Sequence, residues 1–498
     1  MTAASELPKE IYRIDQVRAL DSAVMRATGL TGHQWMCRAA ASVFARLRQH
    51  WPKAMRLLVL CGNGNNGGDG FVIAGLARQA GLPVSVFTLT DPANLKGEAA
   101  QAAHDYVSAG GSWQLFTDRQ QILDHPADLI VDALLGTGVR QQVEGQWREA
   151  IEAINGHPAP VLAVDLPSGL HGDTGQILGA AVRAAVTVTF IGLKPGLLTA
   201  AGPELCGILE FADLGAPPAV YKAFPTTMRR VTPREIGVCL PPRPRHAHKG
   251  MFGHVLLLAG GPGMSGAARL AGEAALRVGA GLVTVATHPD HATSLNLARP
   301  ELMVLAVDRP EALSSVLSRA TVLAVGPGLG QSSWANALFD YVMTLDQPMV
   351  VDADALNLLA QQPQRRQNWV LTPHPGEAAR LLNKPTVDIQ NDRFAAIAEL
   401  IDRYGGVALL KGAGTLIGNG AETAVCQTGN PGMASGGMGD VLTGVIAGLI
   451  AQGLDLFTAA RLGALIHGLA GDLAAAEGER GLMAMDLLSH LRSLVNPR

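Results

Sequence analysis

Twice along this chain an apolar run stops at a cluster of glycines and a helix-patterned segment begins. Residues 56–61 run into Gly62-Asn63-Gly64-Asn65-Asn66-Gly67-Gly68-Asp69-Gly70, and residues 253–259 into Gly260-Gly261-Pro262-Gly263-Met264-Ser265-Gly266. A short strand passing through a glycine turn into a helix is the opening unit of a parallel α/β sheet. Similar runs at 83–89, 128–133, 160–165, 187–190 and 207–211 extend the first series. Runs at 281–286, 321–325, 348–352, 369–371, 406–411 and 415–417 extend the second, with a helix expected over 267–278. Residues 10–49 read as two helical segments that precede the first series. No short repeat period links the two halves, so the chain reads as two doubly wound α/β domains and not as a solenoid.

The stretch 214–251 breaks the alternation with Pro217-Pro218, Pro225, Pro233 and Pro241-Pro242-Arg243-Pro244-Arg245. We place a boundary near residue 225, giving domains 1–225 and 226–498, and read Arg229, Arg230, Arg234, Arg243, Arg245 and Lys249 as a solvated linker. With 48% apolar residues, 58 Gly and 29 Pro in 498 residues, the chain has the small-residue packing of large α/β domains rather than the composition of disorder. A net charge of −3 with both signs interspersed leaves no footprint for nucleic acid. Met1–Arg13 is charged and has no apolar core, which excludes a secretory signal there. The longest apolar helix, from Val441, is interrupted by Gln452 and Asp455, short of the ~20 residues of a membrane span. We expect a soluble, cytoplasmic homo-oligomer. Cys37, Cys61, Cys206, Cys239 and Cys426 have no metal-type spacing and read as buried thiols.

The strongest chemical signal lies near the end, where Asn430-Pro431-Gly432-Met433-Ala434-Ser435-Gly436-Gly437-Met438-Gly439-Asp440 leads into an apolar helix. The first amides of a helix have no internal partner and, with the helix dipole, form an anion site. Asp440 places a carboxylate there. A base beside an anion hole can take a proton from a substrate hydroxyl while N–H groups of 436–439 receive a transferring phosphoryl group. The plainer alternative is a glycine turn with an Asp cap. In the first half, Gly62-x-Gly64-x-x-Gly67 matches a dinucleotide fingerprint but overshoots it with Asn65, Asn66, Gly68 and Asp69, which suit a ribose, a phosphate or a cation. Asp132 and Asp165 end apolar runs at the same sheet edge as Asn66. Asn66, Asp132 and Ser168 are hard oxygen donors that suit K⁺, which leaves Asp165 as a free base. Any one strand-end Asp can also be a turn cap.

These motifs together resemble a known pair of domains. Asn65-Asn66-Gly67-Gly68-Asp69-Gly70, Asp132-Ala133-Leu134-Leu135-Gly136-Thr137-Gly138 and Val164-Asp165-Leu166-Pro167-Ser168-Gly169 resemble the NAD(P)HX epimerase domain, which is Rossmann-like. Lys249-Gly250, Thr372-Pro373-His374-Pro375-Gly376-Glu377, Lys411-Gly412-Ala413-Gly414-Thr415 and Gly436-Gly437-Met438-Gly439-Asp440 resemble the NAD(P)HX dehydratase domain, which is ribokinase-like. The order is that of the bifunctional nicotinamide-nucleotide repair family.

The resemblance implies epimerisation of R and S hydrates of NADH and NADPH, and dehydration of the S form with ADP or ATP, ADP being favoured. It implies that Asn65, Asn66, Gly67, Gly68, Asp69, Gly136, Thr137, Gly138, Val139, Arg140 and Asp165 hold the hydrate in the first domain. Asn66, Asp132 and Ser168 would hold K⁺, and Asp165 would be the acid/base. In the second domain Ala267, Gly328, His374 and Asp440 would contact the hydrate. Lys411, Gly412, Ala413, Gly414, Thr415 and Gly439 would bind nucleotide with Mg²⁺, near which Glu377 would act. Asp440 would be the base, and Asp352-Ala353-Asp354 is left out of catalysis. The family's Met-Glu-x-Ala-Gly stands here as Met36-Cys37-Arg38-Ala39-Ala40. A vitamin-type kinase would use the same glycine loop and Asp, and the first domain could be a non-catalytic binding module. Asn66, Asp132 and Asp165 argue against that module.

Overall fold

The computed structural model describes residues 7–496, so Met1–Glu6 of the charged N-terminal stretch lie outside the described residues. The chain divides into two compact units, Met1–Met228 and Arg229–Arg498.

The first unit is built on seven parallel strands. Their order across the sheet is Gln114–Leu115, Val84–Thr88, Leu57–Cys61, Leu129–Ala133, Val161–Val164, Val186–Phe190 and Ile208–Ala212. The central strands are buried along their whole length, as expected of a parallel sheet covered on both faces. Leu57–Cys61 comes first; the chain moves outward through two strands and returns to lay Leu129–Ala133 on the other side of it. This reversal opens a crevice at the carboxyl ends of those two strands. The helix Asn65–Gln79 starts there, and glycine lets it: a Cβ on Gly67 would lie 2.0 Å from the Gly62 carbonyl.

In the second unit the strands run Met303–Ala306, Leu282–Thr287, His254–Leu258, Val322–Val325, Met349–Val351, Trp369–Leu371 and Val407–Leu410, all parallel. Thr415–Gly418 and Thr423–Cys426 add antiparallel strands beyond them. Here the reversal falls between His254–Leu258 and Val322–Val325. The helix Met438–Ala451 packs on Ser265–Arg277 closely enough that a Cβ on Gly444 would lie 2.0 Å from the Ala271 carbonyl.

The doubly wound α/β expectation holds for both halves. The strands at 114–115, 303–306 and 423–426 escaped the sequence reading because they are short or partly polar. The linker reading needs correcting from residue 229 onward. Val231 and Ile236 are core residues of the second unit, and Arg229 pairs with Glu422 at 3.0 Å. Arg243 lies over the Phe252 ring, 3.5 Å from its centroid. Pro217-Pro218 and Pro233 start short helices here, and the segment is not a tether. None of the five cysteines is in a disulfide; Cys61, Cys206 and Cys426 are buried as expected, whereas Cys37 and Cys239 are only half-buried.

Candidate active sites at the two sheet reversals

A cavity of about 1030 Å³ opens at the reversal of the first sheet. Its lining includes Asn65, Asn66 and Asp69 from the start of the helix, the loop from Gly136 to Gln142, and Asp165. The structure therefore brings the first-domain residues singled out from sequence to one place, with Gly67 and Gly68 buried in the helix's first turns. Asp132 lies just beneath. It is fully buried, and burial pushes its carboxyl up to about 6 against the hydrogen bonds it accepts. Ser168 donates to it from Oγ at 2.5 Å and from N at 2.8 Å, and Leu134 N donates at 3.3 Å. No ion pair reaches Asp132 among the described residues. The Asn66 amide nitrogen is buried without a hydrogen-bond partner, and the Ser168 hydroxyl lies 3.2 Å from the Leu135 carbonyl. A buried carboxylate without a countercharge, beside an amide, a hydroxyl and a carbonyl, is a donor set that fits a large monovalent cation.

Asp165 does not stand free of partners. Its backbone is left-handed, with φ 67°, a conformation costly for a non-glycine residue and characteristic of functional sites. Its Oδ1 accepts from Thr189 Oγ1 at 3.0 Å and from the Lys194 ammonium. Lys194 is 1% exposed, so this is a buried ion pair. Asp21, from the helix Ile14–Thr28, also lines the cavity, and its Oδ1 takes the Trp35 indole N–H at 3.1 Å. Sequence reasoning missed both Asp21 and Lys194. The signal for Lys194 was a lone lysine in Ile191-Gly192-Leu193-Lys194-Pro195, a context too apolar for a solvated one.

In the second unit, the loop after His254–Leu258 meets the loop after Val322–Val325. Gly261 N donates to the Gly328 carbonyl at 2.7 Å, and a Cβ on Gly328 would lie 3.0 Å from that of Ala267. Along the same sheet edge, Gly437 takes φ 90° and starts the helix Met438–Ala451. The first intrahelical bond of this helix is Val441 N to Gly437 O at 3.1 Å, so the amides of Met438, Gly439 and Asp440 precede it. Asp440 stands in that first turn with its carboxyl raised to about 7, by burial first and then by the nearby Asp352 charge, against the pull of Lys411.

Lys411 ends Val407–Leu410 and pairs with Asp352 at 2.8 Å and with Glu377 at 3.7 Å. Burial pushes its ammonium down, but Asp352, Glu377 and Asp440 outweigh that and hold it above its usual range. Thr443 donates to the other oxygen of Asp352 at 2.7 Å. A Cβ on Gly439 would lie 3.3 Å from Lys411 Nζ, so loop, lysine and carboxylates share one small space. Asp352, set aside on the sequence, belongs to this cluster. It is 1% exposed, and its strand-end position was the available signal. Arg393, also missed, is buried behind the Lys411–Thr415 turn and donates to the Leu410 and Lys411 carbonyls at 3.2 and 3.3 Å. Thr415 closes that turn on the Gly412 carbonyl at 3.0 Å.

His374 caps the helix Pro375–Leu382 by accepting at Nδ1 from the amides of Gly376 at 3.0 Å and Glu377 at 3.3 Å. That acceptor role assigns the proton of the neutral ring to Nε2, which faces Glu377 Oε1 at 3.4 Å. Burial, then Lys411 and Arg380, lower its pKa and keep it neutral.

A Rossmann-like unit followed by a ribokinase-like unit, each with its polar residues at the sheet reversal, defines the class. The family model for NAD(P)H-hydrate dehydratase matches residues 255–493, and that for the YjeF-related protein N-terminus matches 32–196. The bifunctional NAD(P)H-hydrate repair enzyme Nnr of Coxiella burnetii is 47% identical over 98% of this chain and 99% of its own length. Its Escherichia coli K12 counterpart is 43% identical over 99% and 95%. A ribokinase-like superfamily protein of Enterococcus faecalis superposes with a TM-score of 0.51 at 29% identity, covering 55% of this chain and 97% of its own. The chain belongs to the bifunctional NAD(P)H-hydrate repair enzyme family.

Proposed function

We propose that the first unit interconverts the R and S hydrates of NADH and NADPH, and that the second returns the S hydrate to the reduced nucleotide at the expense of ADP. The observation that carries this reading is Asp440, a carboxylate raised to about 7 in the first turn of a helix whose leading amides are free of internal bonds. Hydroxide leaves poorly, and phosphorylation of the C6 hydroxyl makes a good leaving group. Asp440 takes the hydroxyl proton, and the amides of Met438 and Gly439 receive the transferring phosphoryl group. Lys411 holds a phosphate of the nucleotide, with its position fixed by Asp352 and Glu377. The Lys411–Thr415 turn is the nucleotide loop, and Ala267, Gly328 and His374 line the hydrate's side. Mg²⁺ would neutralise phosphate charge here, and the Glu377 carboxylate would supply a hard oxygen donor for it.

In the first unit, Asn66, Asp132 and Ser168 would hold K⁺, which supplies the positive charge that the buried Asp132 lacks. Asn65, Asp69, the 136–140 loop and Asp165 enclose the hydrate. The test is to incubate a mixed R/S hydrate with Mg²⁺ and ADP, and separately ATP, and follow the reduced-nicotinamide absorbance. Full recovery of both forms is expected with ADP. No recovery with either nucleotide would reject the dehydratase, and recovery of the S form alone would reject the epimerase. A stable phosphorylated product without ring repair would indicate a small-molecule kinase instead.

A further inference from the structure

Asp21, Asp69 and Asp165 line the first unit's cavity together with Glu98, Glu144, Arg18 and Arg140, and the one buried ammonium there, Lys194, pairs with Asp165. The lysine cannot carry protons in turnover, because its ammonium hydrogens are committed. It donates to Asp165 Oδ1, to Thr189 Oγ1 at 3.0 Å and to the Phe190 carbonyl at 3.0 Å. Asp165 Oδ1 is in turn crowded by Lys194, Thr189 and the Phe190 amide at 3.4 Å. No hydrogen bond reaches Oδ2 among the described residues, and the side chain is 16% exposed, toward the cavity. Asp165 thus has one oxygen held by donors and one facing the cavity. Asp69 is its opposite. It projects from the helix Asn65–Gln79 into the same cavity, and no hydrogen-bond donor or cation meets its carboxyl among the described residues. Arg18 and Arg140 also line the cavity, but neither pairs with Asp69 among the described residues, so a partly buried carboxyl without a donor, close to other carboxylates, favours its protonated form.

We propose that Asp69 is the proton donor of the first unit's epimerisation and works against Asp165 as acceptor, a role beyond holding the hydrate. This rests on the epimerase reading above. Burial, followed by the charges of Asp165 and Asp21, raises the Asp69 carboxyl well above its usual range, in agreement with that assignment. Two carboxyls with opposed environments are how one site runs acid and base chemistry together. Asp69 gives its proton to the C6 hydroxyl, and the C6–O bond breaks with its electron pair leaving on water. The ring nitrogen's lone pair closes a C6=N1 iminium. Water then adds to the opposite face of C6, and Asp165 Oδ2 takes its proton. The proton returns to Asp69 through cavity water, and no other reactant is consumed. Lys194 is a positioning residue that holds the Asp165 carboxyl in place.

The experiment compares full-length wild type, Asp69→Asn and Asp165→Asn in conversion of purified R hydrate, with the dehydratase as the reporter of S hydrate. A parallel run in H₂¹⁸O reads label at C6. Asp69→Asn should lose about 10²–10⁴ in kcat above the uncatalysed background, with KM little changed. Wild type should place solvent oxygen at C6 in each epimerisation. A raised KM with wild-type kcat would overturn the proposal and leave Asp69 a binding residue. Should Asp69→Asn fail to fold, the label decides: wild-type epimerisation without ¹⁸O uptake also overturns it. A wild type that does not epimerise at all would instead reject the epimerase reading itself.

Discussion

Lys411 and Asp352 lie 59 positions apart in sequence, yet the lysine Nζ sits 2.8 Å from Asp352 Oδ1. Asp352 is held from its other side by Thr443, which belongs to the same helix as Asp440. The nucleotide loop, a strand-end carboxylate and the base-bearing helix are therefore tied through one buried ion pair. Such a pair fixes geometry more surely than it adds stability.

Asp440→Asn should abolish dehydration while leaving epimerisation intact. Removing a general base costs about 10²–10⁴ in rate. The hydrate's R-to-S conversion, followed by chromatography without nucleotide, should match wild type. Loss of both activities together would contradict separate sites.

The pH dependence of dehydration follows from the same group. Asp440 must be ionised to accept a proton, and burial with the Asp352 charge holds its carboxyl at about 7. The rate should rise with pH below that value and level off above it. Asp352→Asn removes a neighbouring negative charge, so the inflection should move to lower pH. An unmoved inflection, read from initial rates at saturating hydrate and nucleotide, would assign the titration to another group.

Asp132 links cation binding to stability. Its carboxyl is raised to about 6 when folded, against about 4 in an unfolded chain. The folded form then holds the extra proton, so stability falls as pH rises from about 4 to about 6. A cation that binds the ionised carboxylate offsets this loss only above that window. KCl should therefore raise the thermal midpoint of the first unit more at about pH 8 than at about pH 5, and Asp132→Asn should remove the difference. Equal gains at both pH values would argue against a K⁺ site here.

Gly444→Ala tests the packing that sets the base-bearing helix. The added methyl would meet the Ala271 carbonyl and must push two helices apart. Overpacking of this kind costs about 1–3 kcal/mol. Urea unfolding of the second unit should show that loss, and dehydration should fall with it because Asp440 and Thr443 move with the helix.

Much was legible beforehand because it is local. A strand that ends in glycines, a glycine loop that leads into an apolar helix with Asp440 at the junction, and the side chains of Asn66, Asp132 and Lys411 at element ends all follow from patterns a few residues long. Asp21, Lys194, Asp352, Thr443 and Arg393 were not legible as site residues. Each is an ordinary residue in its own segment and acquires a role only from a partner far along the chain.

The sequence by itself determined the alternation of elements, and so the parallel sheets whose carboxyl ends must carry the chemistry. Only the tertiary structure decided the charge state of that chemistry. It buried Lys194 against Asp165 and left Asp69 without a cation, and it placed Asp352 beside Asp440. Hydrogen-bonding and hydrophobic periodicity are written along the chain, whereas the cost of an ion depends on what surrounds it in space.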